Sequence, residues 1–291
     1  MIGVAGLRPA PLLPLAAVAG TYVVGVRRVR RGRAPSAWSA ARAASFLSGI
    51  GVMAVALEPP LDGYADRLLS VHMVQHLLLM QVAAPLLLLG RPVTLALAAT
   101  RPSTRARMAA LVHRPIARAL ASPAFGFASL GVVLWGSHFT SWYEAALSDE
   151  ALHALEHLAY LIGALLFWWP VIGRDPGAAR LSHPGRILYL FLAMPVQSLL
   201  GFVITSADHV LYPHYAAVAR ALGGSALADQ RLGGTLMWEG SMLVGVVALS
   251  AVLLDWMAQD ERVARRMDAR MGRVGRAAAV AGREASDGEA S

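Results

Sequence analysis

The sequence predicts an all-α integral membrane protein built as a seven-helix transmembrane bundle. Hydrophobic residues make up 56 % of its 291 residues, and the mean hydropathy is +0.52. The apolar residues form runs of about 20, which is the helix length that crosses the hydrocarbon core of a bilayer. Short arginine-bearing segments separate these runs. This pattern is typical of a polytopic membrane protein and not of a soluble domain.

Seven stretches have the length and composition of a span. They lie at residues 11–26, 37–57, 68–89, 119–139, 151–171, 187–206 and 232–255. The first stretch leads directly into arginines without a signal-peptide cleavage site, so we expect it to be retained as a span. We therefore predict one membrane domain over residues 1–258. The mixed charges of residues 259–291 predict a cytoplasmic tail that is partly disordered.

The distribution of arginine predicts the orientation of the spans. With residues 27–33 in the cytoplasm, the outward-facing segments keep only Arg8, Arg67, Arg220 and Arg231. Positive charge accumulates on the cytoplasmic side of membrane proteins, which places the N-terminus outside and the C-terminus inside. The same rule explains the formal net charge of +8. We therefore expect contact with the lipid bilayer and no nucleic-acid partner.

The sequence lacks the residues and motifs that several kinds of catalytic and metal sites require. The chain has no cysteine, which excludes disulfides, thiolate metal sites and cysteine nucleophiles. It also has no glycine-rich phosphate loop, no serine nucleophile elbow and no pair of carboxylates at glycosidase spacing. We therefore expect a protein that is not an enzyme.

Five histidines are predicted to lie at one depth near the outer face. His72 and His76 open the third span, and His153 and His157 open the fifth. Residues four apart share a helix face, so each pair can present two imidazoles to one ion. His138 ends the fourth span at the same level. A single histidine near a helix end is usually an interfacial residue, but two pairs and a fifth histidine at one level favour a metal site.

Six other residues are candidates for this site. Neutral imidazole suits copper, zinc or iron, and thioether sulfur favours Cu(I). Met80 and Met237 are candidate thioether ligands, although methionines in apolar helices are more often packing residues. Gln75 and Glu156 precede the second histidine of each pair and are candidates to orient a ligand. The last two candidates, carboxylates near the same face, are Asp229 and Glu239.

Aromatic residues are expected to form belts at the two membrane surfaces. Tyr143, Tyr212 and Tyr215 fall in the outer belt, and we assign them no chemistry.

Several motifs in order give the sequence a resemblance to a known family. They are HMVQHLLLM at 72–80, PLLLLGRP at 85–92, HALEHL at 153–158, FWWP at 167–170, and Asp229-Gln230 through Met237-Trp238. Over roughly residues 35 to 258 the sequence resembles the caa3-type cytochrome c oxidase assembly factors (CtaG). It departs from them at Ser137, where family members tend to carry tryptophan before the histidine that matches His138.

The resemblance implies a multi-pass protein of the bacterial plasma membrane that serves the subunits of a haem–copper cytochrome c oxidase, by binding and delivering copper. The residues alone leave two alternatives open. A copper transporter would need a polar path across the bilayer, and the spans below Met80 and His157 are nearly all apolar. A membrane oxidoreductase could be a di-iron enzyme, although the predicted outward face of the histidines counts against that type. It could also hold haem, which histidines on facing helices can ligate.

Overall fold

A computed structural model describes residues 9–32, 37–177, 180–222 and 224–289 of the chain. All regular secondary structure within these ranges is helical, which confirms the predicted all-α fold. The helices are α1 (Pro9–Gly32), α2 (Ala40–Leu57), α3 (Leu61–Ala65), α4 (Leu69–Leu77), a π-helical segment (Leu78–Ala83), α5 (Ala84–Leu89), α6 (Pro92–Ala99), α7 (Pro102–Val112), α8 (Pro115–Leu120), α9 (Pro123–Phe139), α10 (Ser141–Ser148), α11 (Glu150–Ile172), α12 (His183–Ser206), α13 (Pro213–Leu222) and α14 (Ala226–Glu289).

Six helical stretches among the described residues are long and apolar enough to cross a membrane. They are Pro11–Gly32, Ala40–Leu57, Leu69–Ala99, Glu150–Ile172, His183–Ser206 and Ala226–Gly272. The chain is thus a multi-pass membrane protein. The predicted span at 119–139 corresponds to α9, which has 17 residues. A seventh span and the orientation of the termini stay predictions.

The chain forms two compact units, residues 1–246 and 247–291. All the candidate site residues lie in the first unit. The second unit consists of the C-terminal part of α14. The predicted domain boundary between residues 258 and 259 falls within α14 and stays a prediction.

Helices α9 and α11 approach each other closely because glycine stands at their contact. A Cβ atom added at Gly126 would lie 2.3 Å from the backbone oxygen of Leu166, so no larger residue fits there. On α11, Gly163 packs against the backbone of Leu130. Small residues at crossing points are how membrane helices gain close van der Waals contact. This contact fixes the histidine of α9 relative to those of α11.

The first turns of α14 pack against two other helices in the same way. A Cβ atom at Gly234 would lie 2.7 Å from the oxygen of Gly201 in α12, and one at Gly233 would lie 3.2 Å from Ser70 Cα in α4. These glycines therefore bring α14 against the helix that carries His72 and His76.

The helix of the third predicted span changes geometry just below its histidines. After α4 ends at Leu77, residues Leu78–Ala83 form a π-helix, and the α-helix resumes at Ala84. The Trp168 indole nitrogen donates a hydrogen bond to the Met80 backbone oxygen at 3.0 Å within this segment. A π-helical turn holds an extra residue, so side chains beyond it leave the face that the preceding α-helix defines.

Candidate metal centre

Carboxylate caps fix the starts of both helices that carry histidine pairs. The Asp229 side chain of α14 accepts a hydrogen bond from the backbone nitrogen of Leu69 at 2.7 Å, in the first turn of α4. The Asp149 side chain accepts from the backbone nitrogens of Ala151 at 2.8 Å and Leu152 at 3.0 Å, in the first turn of α11. Such caps satisfy free amide groups and favour the helix dipole. Asp229, a candidate ligand, thus binds the backbone of α4 and positions its histidines.

The structure brings the five predicted histidines together from three helices. The Nε2 atoms of His72 and His76 are 3.0 Å apart. Ring centroids are separated by 5.2 Å between His72 and His153, 4.3 Å between His153 and His157, and 6.5 Å between His76 and His138. Four of the five are buried, and His153 is partly buried. We call these five residues the histidine cluster.

The Glu156 carboxyl group, one of the predicted candidates, joins the histidine cluster. Its side chain is 1 % exposed. Two overlapping sets of three side chains could each hold one metal ion, with ligand atoms within 4.8 Å of one another. They are His72, His153 and His157, and His72, His76 and Glu156. His72 belongs to both sets, so an ion could be held either by three imidazoles or by two imidazoles and a carboxylate.

Several buried polar atoms of the histidine cluster and of Glu156 have no hydrogen-bond partner within the described part of the chain, which fits a set of metal ligands. Buried polar atoms in proteins almost always form hydrogen bonds, so unpartnered ones need an explanation. Within the part of the chain that the structure describes, the atoms without a hydrogen-bond partner include His76 Nδ1, His138 Nε2, His157 Nε2 and both carboxylate oxygens of Glu156. A bound cation would satisfy these nitrogens and the carboxylate at once.

Two tyrosine hydroxyl groups lie within hydrogen-bond distance of Nδ1 atoms in the histidine cluster. The Tyr215 hydroxyl lies 2.9 Å from His72 Nδ1, and the Tyr212 hydroxyl lies 3.0 Å from His138 Nδ1. Tyr212 lies in the loop before α13, and Tyr215 lies in α13. Burial raises the pKa of both phenols, and the Glu156 carboxylate raises that of Tyr212 further. Both hydroxyls therefore stay neutral over the physiological pH range.

The hydrogen bonds of Tyr215 determine the tautomer of His72. The Tyr215 hydroxyl donates its hydrogen to the Ala65 backbone oxygen at 3.0 Å, so it accepts a hydrogen bond from the Nδ1–H group of His72. His72 Nε2 then carries the lone pair and accepts from His76 Nε2. Two nitrogens that bind one tetrahedral ion at about 2.0 Å are about 3.3 Å apart. Their separation of 3.0 Å therefore suits a metal ion that replaces the shared proton.

Two further tyrosines form walls of the cluster. The Tyr160 ring centroid lies 4.2 Å from that of His76, and the Tyr143 ring lies 5.3 Å from His72 and 5.0 Å from His138. The sequence analysis assigned Tyr143, Tyr212 and Tyr215 to an aromatic belt and did not consider Tyr160. For Tyr160 a signal existed, because it stands one helical turn after His157.

The amide nitrogen of Gln75 makes its hydrogen bonds outside the histidine cluster. Its side-chain nitrogen donates to the Ala56 backbone oxygen at 2.7 Å and to Asp62 Oδ1 at 3.2 Å. Gln75 therefore links α4 to the end of α2 and to α3, and a role in orienting a ligand stays a prediction. Its position follows from helix geometry, since successive residues of an α-helix point about 100° apart.

The remaining candidate residues differ in how deeply they are buried. Glu239 is exposed on α14, so it lies outside the histidine cluster. Met237 and Met80 are buried, at 4 % and 3 % exposure. Met80 lies within the π-helical segment, so its spacing of four residues from His76 does not place it on the same face as in a regular α-helix. A thioether role for these two methionines stays a prediction.

Comparison with known proteins identifies relatives over nearly the whole membrane domain. A model of the cytochrome c oxidase caa3 assembly factor family matches residues 20–259. The chain is 30 % identical over 255 residues to uncharacterised proteins of Mycobacterium bovis and Mycobacterium tuberculosis, and 30 % identical over 259 residues to one of Mycobacterium leprae. Each alignment covers 85 % of this chain and 38 % of the relative, so the chain spans less than half the length of these proteins. No solved structure matches the chain.

Proposed function

We propose that this chain, which belongs to the cytochrome c oxidase caa3 assembly factor family, binds copper at the histidine cluster and delivers it to an oxidase under assembly. The copper ion is cargo and is not turned over. Cytochrome c oxidase is a haem–copper enzyme, so its maturation requires a source of copper. The observation that carries the proposal is the group of buried nitrogen and carboxylate atoms that lack hydrogen-bond partners.

The donor set suits this cargo. Imidazole binds copper well, and a site of three or fewer protein ligands leaves a position open for transfer. Cu(I) prefers soft ligands and accepts low coordination, so buried thioethers beside the imidazoles would favour this oxidation state. We propose that Met80 and Met237 supply these thioether ligands. Zinc would accept the same imidazoles, and metal analysis separates the two ions.

We further propose that the protein crosses a bacterial plasma membrane seven times. Helix α9 would be the span that adds to the six long apolar stretches. The arginine asymmetry supports an outward-facing cluster and a cytoplasmic C-terminus. Reporter fusions at Glu144, at Tyr212 and after Asp260 test this topology. The first two should report the outer side and the third the cytoplasm. A cytoplasmic signal at Tyr212 would contradict delivery at the outer face.

Metal analysis of the purified protein tests the site. His76→Ala and His157→Ala should each lower the bound copper by at least about tenfold, because each removes a ligand but little apolar contact. Glu156→Gln keeps an oxygen donor and should have a smaller effect. His209→Ala is the matched control, since this histidine is exposed and lies outside the cluster. Unchanged copper content in both cluster variants would show that the cluster is structural.

Cells that lack the protein test its purpose. They should accumulate an inactive cytochrome c oxidase that is deficient in copper, and extra copper in the medium should partly restore it. A fully copper-loaded oxidase in such cells would contradict the assembly role. An absorption spectrum of the purified protein decides the haem alternative, because bound haem would give an intense visible band.

A further inference from the structure

Residues 101–120, between α6 and α9, form an exposed and strongly basic part of the chain. They include helices α7 and α8, each described in full, and neither helix contains a buried residue. The sequence has no acidic residue between Asp66 and Glu144, so no carboxylate within this stretch balances its positive charge. We call residues 101–120 the basic segment. Its most exposed arginines are Arg101, Arg107, Arg114 and Arg118.

Two contacts hold α7 at the ends of apolar helices. The Arg105 guanidinium donates hydrogen bonds to the backbone oxygens of Leu97 at 2.8 Å and Thr100 at 3.2 Å, at the end of α6. At the other end of α7, Gly177 of the loop after α11 lies so close to Val112 that a Cβ atom would not fit between them. Both α6 and α11 belong to stretches that are long and apolar enough to cross a membrane. The basic segment therefore lies where these stretches end, which in a bilayer is the level of the lipid head groups.

The basic segment also exposes large apolar side chains. Leu111 is 58 % exposed, Ile116 is 74 % exposed and Leu120 is 43 % exposed. Ile116 and Leu120 are four residues apart and share one face of α8, whereas Arg118 lies on the opposite face. Apolar side chains are stabilised when they leave water, and arginine can reach from an apolar surface to a charged partner. A helix with one apolar and one basic face is typical of segments that lie in the plane of a membrane surface.

Charge and position together select the partner of this surface. A soluble protein or nucleic acid with negative charge would pair with the arginines, but it would not reach apolar side chains that lie at the level of the lipid. A zwitterionic lipid would cover these side chains, but its ammonium group would oppose the attraction to arginine. An anionic phospholipid satisfies both features, because its phosphate pairs with guanidinium groups and its acyl chains cover the apolar side chains.

We propose that the basic segment binds anionic phospholipids at the bilayer surface, with its arginines on the lipid phosphates and Leu111, Ile116 and Leu120 among the acyl chains. Each arginine near an anionic membrane surface strengthens the association by about fivefold. The segment therefore enriches anionic lipid around α7 and α8, which apolar spans alone would not do. This contact involves neither copper nor the histidine cluster, and it stands or falls separately from the delivery role.

A fluorescent label on the basic segment tests the inference in the full-length protein, because the chain has no cysteine that would compete for it. Ala119→Cys places a bimane label at an exposed position of α8, next to Leu120. The labelled protein is placed in nanodiscs of phosphatidylcholine and phosphatidylglycerol, and either lipid in turn carries a nitroxide that quenches bimane. The quenching should show that phosphatidylglycerol is enriched at the label by at least about fivefold. Salt at about 1 M should reduce this enrichment, because it screens exposed charges.

A pair of arginine substitutions tests whether the basic segment causes the enrichment. Arg114→Gln combined with Arg118→Gln should lower it by about fivefold or more, because two charges near the lipid phosphates are lost. Arg262→Gln combined with Arg266→Gln is the matched control. These two arginines are also four residues apart and exposed, in α14, so the control removes the same charge outside the basic segment and should leave the enrichment unchanged.

Three results would overturn the proposal. Equal quenching by the two lipids would exclude a preference for anionic lipid. A label that neither lipid quenches would lie in water, which would exclude the membrane contact and leave the surface to a protein or nucleic-acid partner. Equal losses in the two arginine pairs would show an effect of net charge alone. All variants should melt as the labelled parent does, because the substituted side chains are exposed.

Discussion

Replacement of Tyr215 by phenylalanine isolates the contribution of one hydroxyl group to the proposed metal site. This hydroxyl accepts from His72 Nδ1 at 2.9 Å and donates to the Ala65 oxygen at 3.0 Å. Tyr215→Phe keeps the ring and removes both hydrogen bonds. The buried donor and acceptor left behind should each cost about 1–3 kcal/mol if nothing replaces the partner. The protein should therefore melt at a lower temperature.

The larger expected effect is on the metal. Without its tyrosine partner, His72 can exchange the proton between its two nitrogens, and Nε2 is no longer held as the free lone pair. Loss of such an outer partner typically weakens metal binding by about 10- to 100-fold. Competition against a chromophoric Cu(I) chelator, with the purified protein in detergent, measures this change.

Tyr189→Phe is the matched control. Tyr189 is also buried, and its hydroxyl donates a hydrogen bond of 3.2 Å to the Phe167 backbone oxygen. This variant should lower the melting temperature but leave the copper affinity within about twofold of wild type. If Tyr215→Phe and Tyr189→Phe had the same copper affinity, Tyr215 would not present His72 to the ion and the tautomer argument would be refuted.

Three other substitutions test the packing that positions the site. Asp229→Ala removes the cap of α4 and should cost about 0.5–2 kcal/mol, seen as a lower melting temperature; an unchanged value would mean that water replaces the cap. Gln81→Leu should cost about 1–3 kcal/mol, because the amide of Gln81 donates to Gln197 in the bundle interior. The double variant with Gln197→Leu should be more stable than either single one, and additive losses in a double-mutant cycle would argue against the pair. Gly126→Val should cost at least about 1–3 kcal/mol, since a Cβ would lie 2.3 Å from the Leu166 oxygen, and a stable variant would exclude the tight α9–α11 contact.

The histidine pairs could be predicted from the sequence because their geometry is local. A spacing of four places two side chains on one helix face whatever the rest of the chain does. Glu156 was a weaker candidate, yet it faces His72 and His76 from α11. It stands between His153 and His157 on the helix, so a helix that turns both imidazoles inward also turns this carboxyl group toward α4.

Contacts between distant segments could not be predicted in this way. The bond between His72 and Tyr215 joins residues 143 positions apart, and no local spacing encodes it. Membrane depth alone also does not tell which side of α14 Glu239 lies on. The residues of α14 that pack inward include Gly233, Gly234 and Met237. Glu239 is two residues past Met237, which places it about 200° around the helix and on the exposed side.

The interior below the histidine cluster bears on the choice between delivery and transport. The sequence analysis expected these spans to be nearly all apolar, but Gln81 and Gln197 meet there in a buried hydrogen bond. The space beside this pair is about 10 Å³, which is room for one water molecule. A hydrated ion does not fit through such a space, and the two amides are already bound to each other. This part of the interior therefore offers no hydrated path for an ion, which supports the proposed delivery over transport.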